Sequence, residues 1–330
     1  MTIIALPGAL AAAESVARVR LSSGSAREIW AERRRAMERS GASVNPDGQH
    51  GGWQTHALHA AVYGFSWGTR LAGLYGRGRG NALSPDLVER EFTFFDLPSA
   101  FDGYRILQIT DPHFDCLPEL AGIARRLISG INVDLIAVTG DIHGSARAPV
   151  ARSALPLAEL LTVAKVRDRI VAVLGNHDPA SMAEALEHVG VTALINESLV
   201  IERDSDLLVL TGLDDVHRFY TPAAKQALIE APEGFRIALV HSAEIADHAA
   251  AAGFGLYLCG HTHGGQICWP NGRSIITRLR RCDFGAQGEW RAGAMIGYTS
   301  NGLGVGEVPL RFNCRGEIAV ITLRRGATAN

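Results

Sequence analysis

From about residue 86 onward, short apolar runs alternate with stretches whose apolar residues recur every three or four positions. Strand-like runs fall at Glu91–Phe95, Arg105–Thr110, Leu135–Thr139, Ile170–Leu174, Leu207–Leu210, Ile237–Val240 and Leu256–Cys259. Between them, Glu119–Ser129, Ala154–Val163, Ala180–His188 and Pro222–Ile229 carry helical periodicity. The alternation predicts an α/β layered domain. The tail from Ala292 to Leu323 reads as further strands joined by tight turns.

The first 85 residues have another texture, which places a boundary there: a basic, aromatic, helical appendage over 1–85 and a catalytic domain over 86–330. Ala26–Arg39 reads as a charged surface helix, with Glu28 and Glu32 along one face and Arg three or four positions on. Residues 40–54 form a loop rich in Gly, Asn, Pro and Asp. His56–Gly76 is apolar and aromatic (Tyr63, Phe65, Trp67, Tyr75) and is followed by Arg77 and Arg79. It reads either as a Gly-rich helix packed on the main domain or as a membrane-surface segment. Its glycines weaken helicity and favour the first reading. Ile3–Ala13 is apolar, but no basic residue precedes it and it contains Pro7 and Gly8, so it does not read as an export signal. No run reaches the ~18 apolar residues of a membrane span.

Composition bounds the function. The chain has 330 residues, 47% hydrophobic and 20% charged, enough to bury a core without staples. The formal net charge of −2 argues against nucleic-acid binding through bulk positive charge. Charge is uneven: residues 1–80 hold ten Arg against five acids, leaving −7 to the rest. The five cysteines (Cys116, Cys259, Cys268, Cys282, Cys314) form no CxxC pair, so neither a disulfide framework nor a thiolate zinc site is indicated. A reducing compartment is expected, hence a cytoplasmic location with peripheral membrane contact as its variant.

Five of the strands end in polar clusters. Arg105–Thr110 runs into Asp111-Pro112-His113, Leu135–Thr139 into Gly140-Asp141-Ile142-His143, and Ile170–Leu174 into Gly175-Asn176-His177-Asp178. Ile237–Val240 runs into His241, and Leu256–Cys259 into Gly260-His261-Thr262-His263-Gly264-Gly265-Gln266. Ligands of α/β sheets sit beyond the carboxyl ends of the strands. An i, i+2 pair on extended backbone points one way, so Asp111 with His113, and His261 with His263, can each address one site. The Gly before Asp141, Asn176 and His261 lets the chain turn off its strand. Carboxylate, carboxamide and imidazole without thiolate suit Mn, Fe, Zn or Ni. Seven candidate ligands exceed one tetrahedral ion and suit two ions sharing a carboxylate, as in phosphoryl hydrolysis.

This set of motifs resembles the calcineurin-like metallophosphoesterase superfamily over roughly residues 91–325. Phe94–Gln108, Gly260–Gln266 and Tyr298–Leu323 resemble its YkuE-type bacterial branch. The resemblance implies a two-sheet β-sandwich flanked by helices, an α/β fold of four layers. It implies that Asp111, His113 and His263 hold a first metal, that Asn176, His241 and His261 hold a second, and that Asp141 bridges them. His177 matches the catalytic histidine that protonates the leaving group or stabilises the transition state. The family often has Asp or Asn where this chain has Gly144, and many YkuE-type proteins carry an N-terminal transmembrane or export segment, which puts the cytoplasmic reading against an exported one.

The expected reaction is hydrolysis of a phosphoester by water activated between two divalent cations, on a phosphodiester or pyrophosphate. Relatives of the branch include hydrolases of UDP-diacylglucosamine, so the substrate is expected to be a lipid-linked, nucleotide or small-molecule phosphoester. His143, Asp178 and Gln266 are candidate substrate contacts, with Asp178 also placed to orient His177. Trp269 and Asn301 are weaker candidates, and Arg273, Arg278, Arg280 and Arg281 form a basic run able to meet a second phosphate. The rivals are a phosphomonoesterase or protein phosphatase and a catalytically inactive scaffold of the same fold.

Overall fold

The computed structural model describes residues 18–20, 24–41, 43–50, 64–145, 147–306 and 308–326. The apolar run Ile3–Ala13 and residues 56–63 of the aromatic segment lie outside them.

Two mixed sheets stack face to face. The first has the order β4-β15-β5-β6-β7-β8, with β4 Asp86–Phe94, β5 Arg105–Ile109, β6 Asn132–Thr139, β7 Lys165–Val173, β8 Thr192–Ala193 and β15 Glu317–Arg325. The second has the order β1-β9-β10-β11-β12-β14-β13, with β1 Arg18–Arg20, β9 Glu197–Arg203, β10 Asp206–Gly212, β11 Phe235–Leu239, β12 Leu256–Cys259, β13 Gly288–Ala292 and β14 Met295–Thr299. A separate hairpin pairs β2 Ser43–Asn45 with β3 Gly48–His50.

The strands are apolar on both faces because both are covered. Between the sheets, Ile106, Leu135 and Val171 meet Leu208, Ile237 and Leu256. The helices Glu119–Leu127, Ala151–Leu161 and Ser181–His188 cover the outer face of the first sheet. Pro222–Ile229 and Ala246–Ala251 cover that of the second. The result is the four-layer, helix-flanked sandwich expected from the sequence.

Some elements differ from the pattern reading. β4 begins at Asp86, five residues before the expected start, because its first half is only partly buried and carries charged residues. β9 went unread. It forms an antiparallel hairpin with β10 through Asp204 and Ser205, both at positive φ (49° and 73°), the backbone a two-residue hairpin turn needs. In the tail, residues 300–306 and 308–316 form an irregular crossing loop rather than strands.

The basic N-terminal part lies against the sandwich. β1 edges the second sheet on β9, and a helix α1, Gly24–Ser40, follows it. Most of its charges are exposed as predicted, but Arg34 is buried. Residues 64–71 form another helical stretch, and Tyr75–Ala82 a further helix. Gly78 of that helix sits against Leu310 and Phe312, too close for any Cβ.

Candidate metal centre and pocket

β5, β6 and β7 run parallel in the first sheet, and β11 and β12 in the second. Their carboxyl ends therefore meet at one edge of the sandwich. Asp111 follows β5, Asp141 follows β6, Asn176 follows β7, His241 follows β11 and His261 follows β12.

Two clusters result, one of Asp111, His113 and His263 and one of Asp141, His241 and His261, each with ligand atoms within 4.8 Å of one another. Asp141 Oδ2 lies 3.2 Å from His241 Nε2 and 3.6 Å from His113 Nε2, so this carboxylate reaches both groups. Asp111 Oδ1 lies 3.5 Å from His263 Nε2. Asn176 lines the same pocket.

The second oxygen of each carboxylate is tied to the protein. Asp111 Oδ2 accepts from the Thr110 hydroxyl (2.7 Å) and the His261 amide (3.0 Å). Asp141 Oδ1 accepts from the His177 amide (2.8 Å). The histidines are oriented in the same manner. Nδ1 of His113 donates to the His143 carbonyl (2.9 Å), and Nδ1 of His241 to the Thr139 carbonyl (2.9 Å). A carbonyl can only accept, which fixes the tautomer and leaves Nε2 facing inward. Despite burial, Asp111 Oδ1, His113 Nε2 and Asn176 Oδ1 have no hydrogen-bond partner. Leaving these buried polar atoms unpaired is costly unless a ligand takes them up. Oxygen and imidazole donors with no thiolate fit divalent cations of borderline softness.

The backbone is strained where it delivers these groups. Asp111, His113, Asp141, His261 and His263 all have positive φ, between 41° and 72°. Non-glycine residues seldom sit there, and they concentrate at functional sites. Left-handed turns rather than extended backbone aim these pairs, and His261 and His263 enter different clusters. The glycines ahead of the ligands divide by role. Gly140 does turn at positive φ. Gly175 and Gly260 serve close approach instead, since a Cβ would collide with the Asp141 and Asp111 carboxylates respectively.

Charge follows burial and neighbours. Burial pushes Asp141 up, but His241, His177 and His113 outweigh it and hold the carboxyl well below its usual range. Asp111 is raised to about 6 by burial, with Asp141 adding to the rise. His113 is lowered to about 4 and His263 well below the usual range, burial being the main cause in both. They stay neutral, the form that binds a cation.

His177 lines the pocket. Its Nδ1 donates to the Gly144 carbonyl (3.1 Å), so Nε2 is the nitrogen left for a ligand. Two sequence candidates are corrected. His143 is buried, with Nδ1 on Ser153 Oγ (3.0 Å) and Nε2 on the Ala148 carbonyl (3.1 Å). Its ring is spent on loop contacts, and only its carbonyl serves the centre, by orienting His113. Asp178 does not orient His177 or face a substrate, because its oxygens accept the amides of His143 and Gly175 (both 2.9 Å). Gln266 lines the pocket, but its amide is engaged by Gly306, Val308 and Leu310. Asn301 is held by Glu317, while Trp269 is exposed. Of the basic run, Arg278 lines the pocket.

Sequence reasoning missed His217. It follows β10 in the run Leu213-Asp214-Asp215-Val216-His217, a sixth strand end of the same polar kind. Its ring centroid lies 4.2 Å from that of His261, and Nδ1 is 2.9 Å from the buried Glu244 carboxylate. Arg311 was missed too. It is buried, and donates to the carbonyls of His263, Asn301, Gly302 and Gly304, pinning the crossing loop to the ligand loop. Above the polar floor, Phe65, Ile267, Ile275, Ile276 and Val308 wall a pocket of about 270 Å³.

Comparison with known proteins agrees with this geometry. Residues 104–265 match the calcineurin-like phosphoesterase family. The chain is 30% identical over 271 residues to the uncharacterized metallophosphoesterase YkuE of Bacillus subtilis, covering 76% of this chain and 90% of that one. It is 27% identical over 249 residues to the phosphodiesterase YaeI of Escherichia coli, covering 72% and 88%. A transmembrane protein with metallophosphoesterase domain from Danio rerio is 27% identical over 263 residues, covering 74% of this chain and 58% of that protein.

Proposed function

The chain belongs to the calcineurin-like phosphoesterase family of metal-dependent phosphoester hydrolases, and from that premise we propose that it cleaves a phosphodiester or pyrophosphate bearing an apolar group, using two divalent cations. The observation that carries the two-cation reading is the pair of buried clusters with unpartnered atoms that Asp141 joins. Asp111, His113 and His263 hold one ion, Asn176, His241 and His261 the other, and Asp141 both. The ions are drawn from Mn, Fe, Zn and Ni. When bound, they supply an acidified water and neutralise charge on the phosphate.

The chain's own groups do the rest. In the metal-free centre His241 and His177 beside it outweigh burial and keep Asp141 ionised, ready to take up a cation. His177, fixed by its amide on Asp141 and its Nδ1 on Gly144, directs Nε2 at the departing oxygen and gives it a proton. The apolar wall then receives the remainder of the substrate.

A small polar monoester leaves that wall unused, which favours an amphiphile. UDP-diacylglucosamine, with a pyrophosphate and two acyl chains, has both halves. Trp67 and Leu71, on the stretch that supplies Phe65, and Trp269, beside the pocket loop, are exposed, and Arg70 lies over the Tyr75 ring (4.1 Å) with Trp67 at 6.0 Å. Aromatic and apolar groups beside Arg suit peripheral contact with an anionic bilayer. No helix among the described residues is long and apolar enough to cross a membrane. The free thiols support a cytoplasmic setting.

The test is metal analysis of purified protein alongside hydrolysis of UDP-diacylglucosamine, bis-p-nitrophenyl phosphate and p-nitrophenyl phosphate. Two ions per chain and cleavage of the first two substrates are expected. Turnover of the monoester alone would sink the substrate class, and bound metal with no turnover would point to a scaffold.

A further inference from the structure

Resting on the two-cation reading, we infer that Arg34 of the N-terminal helix is a positioning residue for the Asn176 metal site. Trp30, Arg34 and Glu38 stand four residues apart and so share one face of α1. That face lies on the loop carrying Asn176 and His177. Arg34 is 1% exposed, and its Nη2 donates to the carbonyls of Gly175 (3.0 Å) and Asp178 (2.8 Å), the two residues that bracket Asn176 and His177. Glu38 accepts the Ala180 amide at 2.8 Å. One planar group thus sets the spacing of the segment from both ends.

The guanidinium is itself aimed. Nη1 pairs with Asp214, whose other oxygen accepts from Trp30 Nε1 (2.7 Å), and its central carbon lies 3.6 Å from the Phe219 ring centroid. A buried ion pair adds little to stability over a well-packed apolar substitute. What an apolar residue cannot do is bind the two carbonyls. Lysine could neutralise Asp214, yet its ammonium lacks the planar fork that holds two acceptors in fixed geometry. The brace comes from outside residues 104–265, which match the family.

The experiment titrates metal-free full-length protein with Mn²⁺ by calorimetry and measures hydrolysis of bis-p-nitrophenyl phosphate, for wild type, Arg34→Lys, Arg34→Met and Arg27→Ala. Arg27 lies on the same helix but bonds the Ala193 carbonyl and Glu197 instead, so it controls for helix docking. Both Arg34 variants should weaken the second Mn²⁺ step by roughly tenfold or more and lower kcat by about 10–100-fold. The first step should stay within about twofold and KM within about threefold, and Arg27→Ala should change only the thermal midpoint. Arg34 variants that melt earlier yet keep both steps and kcat would show a merely structural role and overturn the inference. Should neither variant fold, Asp214→Asn keeps the guanidinium and loosens its aim; a wild-type second step in that protein would overturn it equally. A single step in the wild type would instead overturn the two-cation reading, and the Arg34 assignment with it.

Discussion

The floor of the pocket and its rim are built by opposite rules. The floor consists of strand ends, and its side chains are nearly all buried; Asp111, Asp141, His113, His177 and His241 are each held by a backbone amide or carbonyl, and several floor residues sit on left-handed backbone. The rim consists of residues 64–71 and the loop after Gln266, where Trp67, Trp269, Ile275 and Ile276 are substantially exposed. Rigid elements give the precision that metal chemistry needs, while loops can vary without disturbing it. The contrast assigns reaction to the floor and substrate choice to the rim.

The sharpest attempt to break that division is Asp141→Asn, which removes the charge shared by the two clusters. We expect kcat to fall by at least about a thousandfold with loss of bound metal, checked by metal analysis and initial rates. His177→Ala should separate chemistry from metal binding. A loss of about 10²–10⁴-fold in kcat is expected with metal content unchanged, and a wild-type rate would remove His177 from the reaction. At the rim, Ile276→Ser should raise KM for an amphiphilic phosphoester roughly tenfold, from lost apolar contact. It should leave bis-p-nitrophenyl phosphate within about twofold; a fall in kcat for both substrates would erase the distinction. The smallest effect belongs to Cys116, near the floor but outside it. Burial, then Asp115 and Asp141, push its thiol up to about 12. A raised pKa keeps it protonated and inert near neutrality. Alkylation should quicken about tenfold per pH unit between pH 8 and 11 with no plateau, and Cys116→Ser should keep activity within about twofold.

The floor was the legible half. Five apolar runs each closing on Asp, Asn, Gly or His is a pattern local enough to read, and those residues do converge. The layered sandwich was legible for the same reason, since strand and helix periods alternate. What stayed hidden depends on partners far along the chain. His143 looked like a pocket residue until Ser153 and the Ala148 carbonyl took its ring. Asp178 looked like a partner for its neighbour His177, but its acceptors face amides instead. Arg34 sits in a run of three arginines, and nothing local tells which one will meet Asp214, 180 residues away. His217 is different: its strand end carried the same signal as the other five and was overlooked. The rim was illegible because exposed apolar residues gain meaning only when the fold gathers them round a mouth.

The position of β15 bears on how the enzyme is made. It is the last strand along the described chain, yet it lies inside the first sheet, parallel to β4 and antiparallel to β5. Among the described residues β4 pairs with β15 alone in that sheet. While residues 317–325 remain in the ribosome, β4 has no neighbour and β5 presents an open edge, although every candidate ligand has already been translated. A nascent chain of this protein therefore carries every candidate ligand before β15 can close the first sheet between β4 and β5.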